Sequence, residues 1–439
     1  MNELRDKDEK YEINRRDFVK RATALSPFLV YPSVGFSGGI ISQNEQKVRV
    51  GIIGCGGRGM ADLINCLNSA PNVELVAMGD LFEDQLNASF ENLTRQVPDK
   101  MNVPQKNKFV GFDAYKGVLT CDLDLVLLTA PPVFRPQHVK AAVDANKHIF
   151  MEKPIAVDPV GVREVIATCE VAEKKGLTVL GGTQMRKATH IAEAMGIIHN
   201  GEIGELVGGQ CCRLGGAMRT WGPQERLSEW SNMEWQLRNW YFYTWTGGDF
   251  ITEMHIHNLD LMNWAFNSHP TGCTGFGGRQ ARTGPTTGKW GNIYDHFAVE
   301  YLYPGDVRVQ YIGTQIDNAA GRNDQHLVGT KGSVYVDFSR AIIKGAKGTR
   351  ELKSSGDPSI KQHALQIEAI RKGKKLNDGK QVAESTLTTI MGQMSCYTGK
   401  TIDWEWILKK SQTSLTPATF RFDNLPFPDV AIPGVTPLV

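Results

Sequence analysis

The sequence predicts an α/β fold that opens with a parallel β-sheet. Three observations support this: an apolar, β-branched run at residues 48–53, a glycine-rich turn at residues 54–59 that leads into a helix-like segment, and a second apolar run at residues 73–78 that ends in Gly79 and Asp80. A strand, a helix and a second strand in this order form a βαβ unit, whose two strands lie parallel.

The turn has the spacing G-x-G-x-x-G, which indicates dinucleotide binding when a strand precedes it and a helix follows. Gly54 permits the tight turn, Gly56 lets a pyrophosphate approach the backbone, and Gly59 lets the helix pack closely on the sheet. Asp80 ends the second strand, where its carboxylate can accept hydrogen bonds from both ribose hydroxyls and would repel a 2′-phosphate. We therefore expect NAD as the cofactor, with Arg58 slightly weakening the preference over NADP. The predicted contacts are Gly54, Gly56, Gly57, Arg58, Gly59 and Asp80.

The alternation of strands and helices continues along the next hundred residues. Strands are predicted at residues 122–129, 148–151 and 177–180, and helices at residues 84–95, 138–146 and 159–175. The turn after Thr129 contains Pro131 and would close over the adenosine side of the cofactor. Glu152-Lys153-Pro154 follows a strand directly, at the edge of the sheet where ligands bind. Lys153 is therefore a candidate for proton transfer, although a lysine after a strand is more often a solvated surface charge.

Two more motifs complete the pattern: Gly182-Thr183-Gln184 with Arg186, and GGDFITEMHIHNLD at residues 247–260. With the glycine-rich turn and Glu152-Lys153-Pro154, in this order, the chain resembles the glucose–fructose oxidoreductase / inositol dehydrogenase / MocA family from about residue 48 to residue 404. The resemblance implies a Rossmann domain followed by an α/β domain with a large, open, mostly antiparallel sheet, whose exposed face supports a homodimer or tetramer. We expect further cofactor contacts at Thr129, Pro131, His138, Glu152, Lys153 and Gln184.

The resemblance also implies the catalytic groups. In the family, the lysine and a histidine of the last motif flank the substrate carbon beside the nicotinamide, and they correspond to Lys153 and His257. An acid, usually Asp, stands four residues before that histidine. Here it is Glu253, which a helix would place on one face with His257.

His255 departs from the family pattern, which commonly has a small residue at this position. On an extended segment, His255, His257 and Glu253 would share a face and could hold a divalent ion. The amphipathic pattern that continues to Phe266 favours a helix and no metal.

Residues 219–245 are rich in aromatic side chains and contain Trp221, Trp230, Trp235, Trp240 and Trp245. Aromatic faces stack on the C–H surfaces of sugar rings, but an aromatic core or an oligomer contact explains the same composition. Tyr294 opens a later strand-like run and could reach the pocket from the end of a sheet. The predicted substrate contacts are Arg186, Arg238, Trp240, Tyr243, His255, Asp260 and Tyr294.

Composition sets limits on the partners. The chain has 439 residues and a net charge of +2, so charge does not indicate a nucleic acid, and no apolar run is long enough to span a membrane. The eight cysteines contain no C-x-x-C pair.

The N-terminus has the pattern of an export signal. Asn14-Arg15-Arg16-Asp17-Phe18 is a twin-arginine motif, and a modest apolar stretch follows at residues 22–39. The alternative is a basic surface patch. We predict export of the folded protein to the periplasm with its NAD bound. The domain prediction is a leader and linker at residues 1–45, a Rossmann domain at 46–182, a substrate-binding and oligomerisation domain at 183–416, and an extended tail at 417–439.

These features predict an exported, NAD(H)-dependent oxidoreductase that acts on a sugar, polyol or glycoside. One alternative is an NAD-dependent glycoside hydrolase that works by transient oxidation, elimination and water addition. The other is a non-catalytic sugar-binding protein that keeps NAD as a structural part.

Overall fold

The computed structural model describes residues 46–218, 222–223 and 225–439, and residues Gln46–Val439 form one unit. The predicted leader at residues 1–45 and Trp221 lie outside the described residues. No helix in the described part of the chain is both long and apolar enough to cross a membrane.

The N-terminal half contains a six-stranded parallel sheet of order β3-β2-β1-β4-β5-β6. Its strands are β1 (Val48–Ile53), β2 (Val73–Asp80), β3 (Lys108–Val110), β4 (Leu125–Leu128), β5 (His148–Met151) and β6 (Val179–Gly181). The helices are α1 (Gly57–Asn68), α2 (Glu83–Gln96), α3 (Ala114–Thr120), α4 (Arg135–Asp144) and α5 (Pro159–Lys174), with short 3₁₀ turns at Pro98–Lys100, Gln105–Asn107 and Pro132–Phe134. This strand order is that of a Rossmann fold, with a switch point between β1 and β4.

Local sequence explains these elements. All four residues of β4 are buried, as expected for a central parallel strand covered on both faces. The helix α5 starts where Asp158 accepts a hydrogen bond from the backbone N–H of Gly161 and Pro159 occupies the first turn. The strand β4 begins three residues later than predicted because Asp122 and Asp124 turn aside to pair with Arg49.

The C-terminal half contains a nine-stranded sheet of order β14-β13-β12-β11-β7-β10-β9-β8-β15, in which only the β7–β10 pair is parallel. The strands are β7 (Leu206–Gly215), β8 (Gly272–Gly278), β9 (His296–Tyr303), β10 (Val307–Gln315), β11 (Arg322–Gly329), β12 (Gly332–Val336), β13 (Arg340–Gly345), β14 (Gly348–Lys353) and β15 (Ile402–Asp403). The predicted fold class, a Rossmann sheet followed by a mostly antiparallel sheet, is confirmed.

The remaining helices follow β6 in the chain. They are α6 (Thr189–His199), α7 (Asn232–Arg238), α8 (Thr244–Gly247), α9 (Asp249–Glu253), α10 (Ile256–Phe266), α11 (Pro358–Arg371), α12 (Gly379–Thr398) and α13 (Trp404–Lys409), with 3₁₀ turns at Gln184–Lys187 and Trp240–Phe242. The long helix α12 is buried over most of its length and packs on α5, α10 and β8, so it joins the two halves. The strand β9 starts at His296, which leaves Tyr294 before the strand.

The C-terminal tail at residues 417–439 contains no helix or strand and lies across its own chain. The backbone carbonyl of Asp429 accepts a hydrogen bond from Asn292, and that of Ala431 accepts one from the Tyr294 hydroxyl. The backbone N–H of Gly434 donates to Thr398 at the end of α12. The tail is therefore held by backbone hydrogen bonds as well as by its apolar side chains.

Candidate active site

The glycine-rich turn between β1 and α1 has the geometry of a phosphate cradle. Gly54 has φ +99°, and a Cβ on Gly59 would lie 2.2 Å from the carbonyl oxygen of Gly54, so neither position accepts a side chain without strain. The Thr129 hydroxyl donates to the same Gly54 carbonyl at 2.5 Å and ties the turn to the end of β4. In contrast, a Cβ on Gly56 or Gly57 would meet no atom within 4 Å, so the space above the start of α1 is open. This open backbone at a helix N-terminus suits a pyrophosphate.

Asp80 lies at the end of β2, beside this turn. Its Oδ2 accepts the Cys55 backbone N–H at 2.6 Å and its Oδ1 accepts that of Phe82 at 2.9 Å. Burial raises the pKa of Asp80 to about 6, so the carboxylate is charged at neutral pH. A carboxylate held in this way has lone pairs left for two ribose hydroxyls.

Arg58 links the glycine-rich turn to the end of β5. Its guanidinium donates to Glu152 Oε1 at 2.7 and 3.0 Å and pairs with Asp62 at 2.9 Å. Burial acts to raise the pKa of Glu152, but the charges of Arg58 and Lys153 outweigh it and lower that pKa. The Arg58 guanidinium is therefore engaged by Glu152 and Asp62 within the protein.

Lys153 is buried at the end of β5, and its backbone N–H donates to Glu152 Oε2 at 3.0 Å. Gly182 leaves room for this arrangement, because a Cβ there would lie 2.4 Å from Glu152 Oε1. The Lys153 ammonium donates to the Glu253 carboxylate at 2.9 Å and to the Glu253 backbone carbonyl at 2.6 Å, and each side chain is only 8% exposed. The two halves of the chain therefore meet in a buried ion pair.

The predicted pairing of Glu253 with His257 on one continuous helix is wrong. The helix α9 ends at Glu253, residues 254 and 255 form a turn, and α10 starts at Ile256. The backbone N–H of His255 bonds to the carbonyl of Phe250, five residues back, which is a wider, π-type turn that interrupts the α-helix. Glu253 therefore pairs with Lys153.

His257, in the first turn of α10, lies close to this pair. Burial and the positive charges of Lys153, Arg213 and Arg58 lower the pKa of His257 well below its ordinary value. Its Nδ1 is buried and has no hydrogen-bond partner among the described residues, and the same is true of Glu253 Oε2. A neutral imidazole beside an ammonium is a suitable proton acceptor for a substrate hydroxyl.

Gln184 provides a further free acceptor at the end of β6. Its Oε1 is buried and has no partner among the described residues. The free atoms of Gln184, His257 and Glu253, the open glycine backbone and the Asp80 carboxylate together fit a dinucleotide with a small substrate at its nicotinamide end.

Burial removes four residues from the predicted substrate contacts. His255 is 2% exposed, binds the Tyr311 hydroxyl at 2.6 Å and packs edge-on against Phe250, inside the C-terminal domain. The hydroxyls of Tyr243 and Tyr294 donate to the backbone carbonyls of Thr286 and Ala431. Asp260, the fourth residue, is 1% exposed.

The Asp260 carboxylate is fully engaged within the protein. Both of its oxygens accept hydrogen bonds from Arg186 at 2.9 Å, and the Ser385 hydroxyl donates to it at 2.7 Å. Arg186 is also held over the Trp264 ring. This buried ion pair connects the end of the Rossmann half to α10 and α12, so Arg186 is a structural residue as well.

Three further predictions fall on packed side chains. Arg238 pairs with Glu234 and Asp84 at 3.0 Å and lies over the ring of Phe82, two residues after Asp80. His138 is 5% exposed and lies against Phe134 and Tyr115, and burial lowers its pKa to about 3. Trp240 contacts Tyr241 edge-on.

The sequence analysis did not identify two residues that lie near the site. Asp62 is buried on α1, where burial and the neighbouring Glu152 charge raise its pKa well above the ordinary value. The sequence could have indicated the Arg58–Asp62 ion pair, because Asp62 follows Arg58 by four residues and lies on the same helix face. Arg213 donates to the Met254 carbonyl in the turn between α9 and α10. No local sequence motif predicts this contact. Within the described residues, no group of three or more His, Cys, Asp or Glu side chains is arranged to hold a metal ion.

The fold and the site define an NAD-binding oxidoreductase. Residues 48–182 match the family model described as an oxidoreductase family with an NAD-binding Rossmann fold, and residues 191–335 match the GFO/IDH/MocA C-terminal domain. The chain belongs to the GFO/IDH/MocA family, and NAD is its cofactor. The family resemblance and the cofactor predicted from the sequence are thereby confirmed.

Two curated relatives show the range of this family. The chain is 26% identical over 296 residues to 2,7-anhydro-N-acetylneuraminate hydratase of Escherichia coli K12, a match that covers 66% of this chain and 68% of the relative. It is 25% identical over 222 residues to a glycosyl hydrolase family 109 protein of Shewanella baltica, where the match covers 46% of each protein. The match thus spans less than half of the second relative's length.

Solved structures share the fold. Myo-inositol 2-dehydrogenase of Lactobacillus plantarum aligns with a TM-score of 0.63 at 19% identity over 82% of this chain and 99% of its own. Levoglucosan dehydrogenase, solved with NADH and levoglucosan, aligns with a TM-score of 0.64 at 15% identity over 82% of this chain and 99% of its own.

Proposed function

We propose that this protein oxidises or reduces a hydroxyl-bearing carbon of a sugar, polyol or glycoside at the end of β5. The observation that carries the proposal is the buried Lys153–Glu253 pair with a neutral His257 beside it. These groups come from both halves of the chain and meet outside the carboxyl ends of the Rossmann strands, where ligands bind.

The residues divide the work as follows. The Lys153 ammonium holds the substrate oxygen by a hydrogen bond, and Glu253 keeps the ammonium in place. His257 accepts the hydroxyl proton when the alcohol is oxidised and returns it when the ketone is reduced. NAD supplies the hydride acceptor, and the substrate carbon loses the hydride as the oxygen loses its proton, so the two-electron oxidation balances.

The relatives support the substrate class. The names of the relatives and solved structures include inositol, levoglucosan and anhydro-N-acetylneuraminate, which are all ring compounds rich in hydroxyl groups. Two buried acceptors without partners among the described residues, Gln184 Oε1 and Glu253 Oε2, suit a ligand with several hydroxyl donors.

A second candidate is redox-neutral cleavage of a glycoside, favoured by the matches to a glycosyl hydrolase family 109 protein and to a hydratase. Oxidation of a ring hydroxyl to a ketone acidifies the neighbouring C–H, so a base can remove that proton and the glycosidic oxygen can leave. Water then adds to the double bond, and return of the hydride reduces the ketone. The net reaction is hydrolysis, and no NAD is consumed.

One experiment separates these functions. Purified protein is mixed with sugars, polyols and aryl glycosides while NADH absorbance and aglycone release are recorded together. Stoichiometric NADH supports oxidation, whereas aglycone release without net NADH supports hydrolysis. A Lys153→Ala variant that retains wild-type turnover would contradict the role given to Lys153 in both functions. Wild-type protein that binds NADH but turns over none of these compounds would favour a non-catalytic protein that holds NAD.

We also propose export to the periplasm through the Arg15-Arg16 motif, with NAD bound in the cytoplasm beforehand. Cell fractionation of the wild type and of an Arg15→Lys/Arg16→Lys variant tests this, because the variant should stay in the cytoplasm.

For the homo-oligomer, we propose the outer face of the second sheet as the interface. Phe276 of β8 is 75% exposed and lies in one row across the sheet with Ala298 and Ile312. Light scattering of a Phe276→Asp variant should show dissociation to monomers.

A further inference from the structure

An aromatic cluster lies at the edge of the Rossmann sheet on the Asp80 side. Phe82 follows β2 by two residues, Phe112 follows β3, and Phe134 lies in the turn after β4. The guanidinium of Arg238 lies 3.9 Å from the centre of the Phe82 ring and pairs with Asp84, which holds this ring in place.

The C-terminal tail contributes two more rings to this cluster. Phe422 lies 5.9 Å from Phe82 and 4.8 Å from Phe112, and Phe420 lies 5.9 Å from Phe112 and 4.8 Å from Phe134, all between ring centres. The tail thus bridges the loops that follow three different strands of the nucleotide-binding sheet.

Hydrogen bonds to its backbone hold the chain on both sides of these rings. Before them, the Leu415 N–H donates to the Asp158 carboxylate at 2.7 Å. After them, the carbonyl of Asp423 accepts the Met233 N–H at 3.0 Å, and the carbonyl of Leu425 accepts the Gln236 amide at 3.3 Å. Asp158 belongs to the Rossmann half and Met233 to the second half, so this segment connects the two halves.

This edge is the adenosine end of the cofactor site. In a Rossmann fold the acid at the end of β2 binds the adenosine ribose, so Asp80 would hold the ribose of a bound NAD, with the adenine next to the loops after β2 and β4. We propose that Phe420 and Phe422 form the outer wall of the adenosine pocket and slow the release of NAD. Phe422 keeps 41% of its surface exposed, which is a flat apolar surface that an adenine ring can cover.

The proposal rests on the family's use of NAD and assigns cofactor contacts far from the glycine-rich turn in sequence. It gives a physical basis for retention of the cofactor, because the base can leave only after the two rings separate from Phe82, Phe112 and Phe134. A bound dinucleotide that dissociates slowly suits an enzyme that returns the hydride within each turnover.

The test is the rate of NADH release. Protein loaded with NADH is mixed with excess NAD⁺ in a stopped-flow instrument, and the loss of bound NADH fluorescence is followed. The Phe420→Ala/Phe422→Ala variant should release NADH at least about tenfold faster, which corresponds to about 1.4 kcal/mol. The matched control is Phe427→Ala, an aromatic residue of the same tail that packs on Tyr243, and it should release NADH at the wild-type rate.

Reduced nicotinamide mononucleotide provides the second readout, because it has the nicotinamide half and no adenosine. Its affinity should be equal in all four proteins, including Phe422→Ala alone. That single variant changes a partly exposed position and keeps the test valid if the double variant does not fold. Release of NADH at the wild-type rate from both Phe422→Ala and Phe420→Ala/Phe422→Ala would overturn the assignment. An equal loss of affinity for NADH and for reduced nicotinamide mononucleotide would overturn it as well. A wild-type protein that binds no NADH at all would contradict the proposed function as well.

Discussion

Replacing Lys153 by methionine should expose the energetic cost of the buried pair at the centre of the site. Methionine keeps most of the apolar stem and removes the ammonium, which donates two hydrogen bonds to Glu253. Glu253 is then a buried carboxylate without its ion-pair partner, and breaking such a pair from one side costs about 3–5 kcal/mol of folding free energy. We expect that loss in the Lys153→Met variant at pH 8.

The loss should depend on pH in a defined direction. Burial already raises the pKa of Glu253, and Lys153 opposes this effect. Without Lys153 the folded-state pKa rises further above the unfolded value of about 4.3. A group whose pKa is raised by folding contributes most stability when it is protonated, and that contribution is lost as the pH rises through the folded-state pKa. The variant should therefore be much closer to the wild type at pH 5 than at pH 8.

The assay is urea unfolding followed by tryptophan fluorescence at both pH values, with the shift in midpoint converted through the m-value. Adding Glu253→Gln to Lys153→Met removes the unpaired charge and should recover most of the stability, although activity stays lost. The matched control is Lys140→Met, which breaks the exposed pair with Asp144 and should leave the midpoint unchanged. A loss of equal size at pH 5 and pH 8 that the second substitution does not relieve would refute the reasoning.

Three further predictions concern the cofactor and the base. Gly59→Ala places a Cβ 2.2 Å from the Gly54 carbonyl and should abolish NADH binding in a fluorescence titration. The control Gly196→Ala, in α6 away from the turn, meets no neighbour and should bind normally. Asp80→Asn replaces a charged acceptor by a neutral one and should weaken NADH by about 10- to 100-fold in calorimetry, corresponding to about 1.5–3 kcal/mol. His257→Asn should lower kcat by about 10²- to 10⁴-fold and leave NADH affinity unchanged. In the wild type, activity should persist below about pH 6.5, because the pKa of His257 is lowered. A pH–rate profile whose acidic limb is centred at about pH 6.5 would contradict the assignment of His257 as the base.

Much of the nucleotide-binding half was predictable because its signals are local. Periodicity and turn chemistry located the strands β1, β2 and β5 to within two residues, and the glycine spacing with Asp80 identified the cofactor before any contact was known. Its position after a strand made Lys153 a candidate, and the family resemblance implied its role. In each case, residues adjacent in the chain are also adjacent in the site.

The second half was less predictable because its site depends on distant contacts. The sequence pattern favoured one helix through Glu253 and His257, but Arg213 binds the chain between α9 and α10 and Lys153 draws Glu253 away. Tyr243, Tyr294 and Asp260 have the chemistry of sugar-binding side chains. They are not available as substrate contacts, because they are buried against residues far away in sequence.

The sequence by itself determined the order of the elements, the dinucleotide class and the lysine at the strand end, because glycine geometry and hydrophobic periodicity act over a few residues. Only the tertiary structure decided which acid pairs with that lysine, which polar groups remain free for substrate, and where the C-terminal rings lie. Those outcomes depend on contacts between residues far apart in the chain, such as Lys153 with Glu253 and Phe112 with Phe420, and local patterns carry no information about such distances.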